Sequence, residues 1–293
     1  VWISSIGCGK DPKEEQCGRL TVGFGASAEK IGPEFTFGLA MEQWTDAPVL
    51  LIKTAWGGKS LNTDFRPPSA GPYEFNETQV AGFSKQGKDL AVMKLEKERQ
   101  TGVYYRLMVD HVRAVLGDIK RVVPSYDPSQ GYEMAGFAWF QGWNDMVDSG
   151  TYPNRDRDGG YDAYSTVMAH FIRDLRVDLK APKMPVVIGV LGVGGPTSEY
   201  GADQQRYKAT HDHFRAAMAA PANLPEFKGN VAAVLTEKYW DRELSAAKAK
   251  DHAIRQDAKK RASDQALKPA DAKADLEDAL AKGLTERERM VLE

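Results

Sequence analysis

Gly136-Phe137-Ala138-Trp139-Phe140-Gln141-Gly142-Trp143-Asn144-Asp145 is a short apolar run without helical period that breaks off in a polar turn. Such a run predicts a buried parallel strand over 134–140, and open α/β sheets place their ligands beyond the carboxyl ends of such strands. Asn144 stands two residues after Gly142, whose small size lets the backbone turn. Its carboxamide is a fixed donor suited to a developing oxyanion. Taken alone, Gly-x-Asn-Asp has a plainer reading as a strand ending in ordinary turn residues.

Working outward, Pro48-Val49-Leu50-Leu51-Ile52-Lys53-Thr54-Ala55 predicts a second buried strand, which breaks into Trp56-Gly57-Gly58-Lys59-Ser60-Leu61. Two adjacent glycines permit a backbone path that side chains would block, so this tip is suited to presenting an amide N–H. Further strands are predicted over 185–191 and 229–235. Helices are predicted from Gly32-Pro33-Glu34 to Trp44, and over 103–119, 161–179 and 203–218, from their three- and four-residue apolar spacing. Residues 1–30, rich in glycine and charge, read as loop with a short strand at Leu20-Thr21-Val22. The polar stretch up to Lys97 reads as an insertion loop with one short helical patch, and Asn62 to Ser69, with Pro67 and Pro68, as irregular chain folding over a cleft mouth. Alternation of helix and strand implies an α/β fold, a doubly wound, mostly parallel sheet with helices on both faces over residues 1–240. Residues 241–293, rich in Ala, Lys, Asp and Glu, form a charged helical extension broken near Pro269 and Gly283.

Composition narrows the function. The 293 residues are 42% apolar, enough for a sizeable core, and the formal net charge of −2 offers no field that would favour nucleic acid or an anionic membrane. No apolar run approaches the roughly 20 residues of a membrane span. Cys8 and Cys17 stand nine positions apart in a polar loop, compatible with either a disulfide or two thiols, and no nearby histidine or Cys-x-x-Cys makes a metal site of them.

The two strand ends, Gly58-x-Ser60 and Gly142-x-Asn144-Asp145, together with Gly32-Pro33-Glu34 before a helix, resemble conserved blocks of the SGNH hydrolases. Within them the chain is similar to the sialate O-acetylesterase group, close to carbohydrate esterase family six, from about Leu20 to about Leu244. The resemblance implies a flavodoxin-like SGNH fold and a serine esterase that removes acetyl groups from acetylated carbohydrates without a cofactor. It implies oxyanion donors at the Gly58 N–H and the Asn144 carboxamide. A pocket would be lined by Trp56, Gly57, Gln141 and Trp143, with Arg66 on a sugar hydroxyl or carboxylate and Glu34 near the site. In that family the nucleophile is the serine of a Gly-Gln-Ser-Asn block after the first strand, and the base is a histidine in a late segment. Neither block is found in these residues. The resemblance therefore implies that the first strand, nucleophile and base lie outside this chain, and that the chain by itself is inactive. It also implies export from a bacterial cell.

Other residues with catalytic chemistry have duller readings. Ser60 has no apparent base, and Arg66 is as well explained by a surface pair with Asp64. His111 lies on or beside an apolar helix face with no nucleophile next to it in sequence, His170 lies at a helix margin, and His211 and His213 point to different faces of one helix. His252 lies in the charged tail. Two other functions fit parts of the pattern: a non-catalytic carbohydrate-binding module, and a nucleotide-binding α/β protein. Against the second, Gly192-Val193-Gly194-Gly195-Pro196 lacks the Gly-x-Gly-x-x-Gly spacing, and Pro196 interrupts the helix that would receive a pyrophosphate.

Overall fold

Residues 1–9 and 11–292 are described by a computed structural model, in which the chain divides into two units, Val1–Leu191 with Asp203–Leu235, and Gly192–Ala202 with Thr236–Glu293. The first unit opens with a hairpin of β1 (Trp2–Ile6) and β2 (Glu15–Arg19), and α1 (Pro33–Glu42) leads to β3 (Leu50–Thr54). β1 runs parallel to β3, giving a three-stranded sheet in the order β2-β1-β3. Helices α2 (Glu77–Lys85), α3 (Leu90–Gln100) and α4 (Val103–Gly117) follow, then β4 (Phe137–Trp139), α5 (Trp143–Val147) and α6 (Asp162–Asp178). After β5 (Val186–Val190), α7 (Gln205–Ala219) and β6 (Val231–Leu235), a second sheet is complete, with the order β4-β5-β6 and every pair parallel.

The helices form where apolar residues recur. On α4, Tyr105, Met108, Val109, Val112 and Val115 make one buried face, and on α6 Val167, Met168, Phe171, Ile172 and Leu175 do the same. Phe171 joins these layers: its ring lies 4.6 Å from that of Trp139 on β4 and 5.7 Å from that of Tyr105. Val115 packs with Ile119, Val122 and Val123 against Trp2 of β1 and Leu50 and Ile52 of β3. Burial of these side chains, at about 1.5–3 kcal/mol each, is what holds helix to sheet.

Three expectations are corrected. Residues 1–30 are not simply loop: β1 and β2 lie there, and the segment Leu20 to Val22 is not a strand. β1 escapes notice because Ser4 and Ser5 interrupt its apolar run, yet both serines are buried. β2 escapes because its sequence, Glu-Gln-Cys-Gly-Arg, is that of an exposed edge strand, held by the ladder to β1 and not by an apolar run. The polar stretch up to Lys97 holds α2 and most of α3. These start at caps rather than on an apolar stripe: Asn76 and Gln79 form a reciprocal capping box, and the Asp89 carboxylate accepts from the N–H of Ala91 and Val92. The expected single sheet is present as two three-stranded ladders, mostly parallel, with only β1 and β2 antiparallel.

The second unit contains α8 (Arg242–Asp264), α9 (Pro269–Gly283) and α10 (Glu286–Leu292), with breaks at the expected proline and glycine. Its helices carry ion pairs, Lys250 with Glu288 at 2.9 Å, Arg261 with Asp275 at 2.9 Å, and Arg287 with Glu243. The Lys250 ammonium and the Thr285 N–H and hydroxyl pull the Glu288 carboxyl down to about 2. No helix among the described residues is long and apolar enough to cross a membrane.

Candidate active site

The loop that leaves β3 and the chain that leaves β4 meet. Gln141 donates its amide to the carbonyl of Lys59 at 3.0 Å, beside Gly58. Asp145, the neighbour of Asn144, accepts from the backbone N–H of Leu61 at 2.7 Å and of Asn62 at 3.1 Å. Gly58 and Asn144 are thereby held on two segments bonded to each other.

At the first tip, Gly58 has φ +72°, the left-handed region, while Gly57 is not in it; a Cβ on either would meet nothing within 4 Å. Neither N–H donates to another group among the described residues. Gly58→Ala is expected to cost about 1 kcal/mol, from backbone strain alone, and Gly57→Ala only a few tenths. Urea melts of the two variants test this contrast, and equal costs would contradict it.

At the second tip, Gly142 is needed for a different reason than a turn. Its φ of 167° is extended, but a Cβ would lie 2.9 Å from Cε1 of Phe214 and 3.2 Å from Sδ of Met218. α7 therefore packs directly on the backbone from which Asn144 projects. Asn144 is half-buried, and its carboxamide has no hydrogen-bond partner among the described residues. Trp143 beside it is 52% exposed. A free amide donor and an exposed indole at one strand end suit an oxyanion and a sugar face.

The other expected site residues have defined partners. Trp56 donates its indole N–H to the carbonyl of Pro12, and its ring sits 5.1 Å from Tyr104 and 5.9 Å from Phe65. Glu34 is paired with Lys53 of β3 at 3.0 Å, both side chains largely buried, and also accepts from the N–H of Gly32. Lys53 also donates to the carbonyl of Phe24, so Glu34 acts as a brace between α1 and β3. Arg66 donates all five of its N–H groups within the proline-rich loop: to Asn62, Ala70, Gly71 and Pro72. It holds that loop's carbonyls rather than pairing with Asp64. Asp64 instead accepts from both the N–H and the hydroxyl of Ser60, with the Lys59 ammonium at 3.8 Å. Ser60 is thus part of a turn, with no histidine on its hydroxyl.

Histidines are paired with serines elsewhere. His111, expected to have no nucleophile beside it in sequence, lies 2.9 Å from Ser4 Oγ across the fold. Ser4 gives its only proton to Glu15 at 2.6 Å, so Nε2 of His111 carries the proton that Ser4 accepts. This serine is wholly buried, and Glu15 is in turn paired with Arg121 at 2.7 Å; the cluster ties β1, β2 and α4 together. Burial lowers the His111 pKa, opposed by the nearby Glu15 carboxylate. Ser69 lies 2.8 Å from Nδ1 of His170 and donates its N–H to Asp174, pinning the proline-rich loop to α6. His213 faces Asp158 at 3.4 Å, and His211 stacks on Tyr207. Cys8 and Cys17 are free, exposed thiols, and no cluster of three metal-ligating side chains occurs among the described residues.

What the sequence concealed is Asp145. Its carboxylate is fully enclosed and takes two further donors, Gln141 Nε2 at 2.6 Å and the Tyr152 hydroxyl at 3.1 Å. The only trace of it in sequence is an acid placed directly after Asn144 at the end of an apolar strand. Burial pushes its carboxyl up to about 6, against the downward pull of its four donors. Folding therefore takes up a proton at this group, whose contribution to stability is fully present below about pH 3.8 and lost as pH rises through about 6. Relative to Asp145→Asn, the wild type is expected to lose on the order of 3 kcal/mol between about pH 4 and pH 7. Urea denaturation of both proteins across that range checks it, and a pH-independent difference would contradict it.

No curated protein matches the chain. Among solved structures, a protein from Arabidopsis thaliana with an X-ray structure at 1.6 Å resolution aligns at 17% identity, over 79% of this chain and 67% of its own, with a TM-score of 0.40. The family of carbohydrate esterases described as sialic acid-specific acetylesterases matches residues 13–228, a span that holds both strand-end loops and most of both sheets. By that match across more than half of its length, the chain belongs to the carbohydrate esterase family of sialic acid-specific acetylesterases.

Proposed function

We propose that this chain forms the oxyanion-binding and sugar-facing part of an acetylesterase acting on O-acetylated carbohydrates. The observation that carries the reading is the joining of the Gly58 tip to the Asn144 tip, each with an uncommitted N–H donor. In this reading a serine hydroxyl attacks the acetyl carbonyl, a histidine takes its proton, and the sugar oxygen leaves with that proton; water then releases acetate from the acyl-enzyme by the same route. Charge collecting on the carbonyl oxygen is met by the Gly58 N–H and the Asn144 carboxamide, each such donor contributing on the order of 3 kcal/mol in the transition state. Trp143 offers an apolar face to the sugar, and Trp56 and Gln141 close the acyl side.

The nucleophile and base are assigned outside these residues. Ser60 is engaged by Asp64, Ser4 is enclosed with Glu15, and Ser69, in the proline-rich loop, is bonded to His170 of α6 and lies on neither tip. The serine is expected in a Gly-Gln-Ser-Asn block, the histidine in a late segment. Acetate release from O-acetylated sugars and from p-nitrophenyl acetate, by the chain alone and by a protein extended to include those blocks, tests the reading. Turnover by the extended protein supports it. Sugar binding without acetate release by the extended protein would instead make this a non-catalytic carbohydrate-binding module.

A further inference from the structure

We propose that Asp145 is the positioning residue of this site: its carboxylate locks residues 57–62 against the end of β4 and so sets the spacing between the Gly58 N–H and the Asn144 carboxamide. The catalytic meaning of that spacing rests on the oxyanion reading above; the lock itself rests on geometry alone.

Four donors converge on this one group. Oδ2 accepts from the Leu61 N–H at 2.7 Å and Gln141 Nε2 at 2.6 Å, and Oδ1 from the Asn62 N–H and the Tyr152 hydroxyl, both at 3.1 Å. They come from three separate segments, so the carboxylate is a junction rather than a local cap. Leu61 is wholly enclosed and Asn62 nearly so, which leaves water no access to replace a lost acceptor at these N–H groups. Gln141 extends the junction by donating to the Lys59 carbonyl as well, one residue from Gly58. Only an ionised carboxylate supplies acceptor sites for four donors while presenting no proton of its own. Asp145 is also covalently next to Asn144, so the group that grips one tip is carried by the other.

The groups facing this carboxylate are few. Tyr152, Tyr161 and Tyr164 surround it, each phenol pushed above its usual value chiefly by burial, and Lys97 of α3 is the cation that feels it, itself lowered by burial. None of the three phenols changes charge near neutrality.

Hydrogen exchange on the ¹⁵N-labelled full chain reads the lock directly. In Asp145→Ala, exchange at the Leu61 and Asn62 amides is expected to rise at least about 30-fold and the Gly58 amide resonance to move, while amides of β5 keep their protection. Should that variant not fold, Asp145→Asn keeps the volume but turns an amino group toward one pair of donors, and is expected to release one of the two amides. Unchanged protection at both amides in a folded variant, or equal loosening of β5, would each overturn the proposal. Asn144→Ala is expected to leave exchange at Leu61 and Asn62 as it is. If, in the protein extended to include the serine and histidine blocks, Asn144→Ala leaves acetyl-ester hydrolysis untouched while Asp145→Ala frees the loop, the oxyanion reading fails and the lock stands. The reverse pattern sinks the lock alone.

Discussion

Extending the chain through a Gly-Gln-Ser-Asn block and a late histidine segment is expected to raise turnover of p-nitrophenyl acetate by about 10⁶-fold over the 293-residue chain. The size follows from what the nucleophile and base do together. Without them, oxyanion donors and binding leave only a residual rate above that of water, because no acyl-enzyme forms and no group carries the proton. The 293-residue chain and the extended protein are compared at equal concentration, with Ser→Ala in the added block as the control. Turnover by the shorter chain at a comparable rate would place the nucleophile inside it. The serine would then have to leave its present partner: Asp64 for Ser60, Glu15 for Ser4, or His170 for Ser69.

In the extended protein, Asn144→Ala is expected to lower kcat for acetyl-ester hydrolysis by about 10²- to 10³-fold with KM nearly unchanged. A donor aimed at the oxyanion strengthens as charge develops and adds little to the neutral ester, so its loss falls on kcat. The variant is not expected to lose stability, since the carboxamide bonds to nothing among the described residues and is half-buried at most. That separates it from Asp145→Ala, which strips four donors of their acceptor, and from changes at Gly142, where a Cβ would drive into Phe214. A rise in KM with kcat preserved would make Asn144 a ground-state sugar ligand instead.

How much of this was legible in the sequence depended on which force shapes each segment. β3, β4, β5 and β6 announce themselves by their apolar runs, although only β5 is largely buried, and α4 and α6 because a helix on a sheet needs a stripe. β1 does not, because two of its five residues are serines whose hydroxyls must be satisfied by partners far off in sequence; for Ser4 these are Glu15 and His111. β2 is fixed by its ladder to β1 and by the Glu15 pairs, and α2 and α3 by side-chain caps, so none of the three leaves a periodic trace. The same distinction runs through the site. The left-handed backbone of Gly58 is legible because it calls for glycine, and Asn144 stands out as an amide at a strand end. Arg66 and Glu34 are chemically suited to a ligand, and only three-dimensional neighbours reveal that loop carbonyls and Lys53 already occupy them. Asp145 is hidden for the opposite reason: an acid in a polar turn looks solvated, whereas this one is enclosed among donors from three segments.

The most direct test of the proposed oxyanion site is a crystal structure of the chain soaked with acetate, the product of the proposed reaction and a small anion. One carboxylate oxygen is predicted to lie about 3 Å from both the Gly58 backbone nitrogen and Asn144 Nδ2, a normal distance for a charge-assisted hydrogen bond. Acetate bound elsewhere, or a Gly58 N–H and an Asn144 carboxamide too far apart to touch the same oxygen, would contradict it.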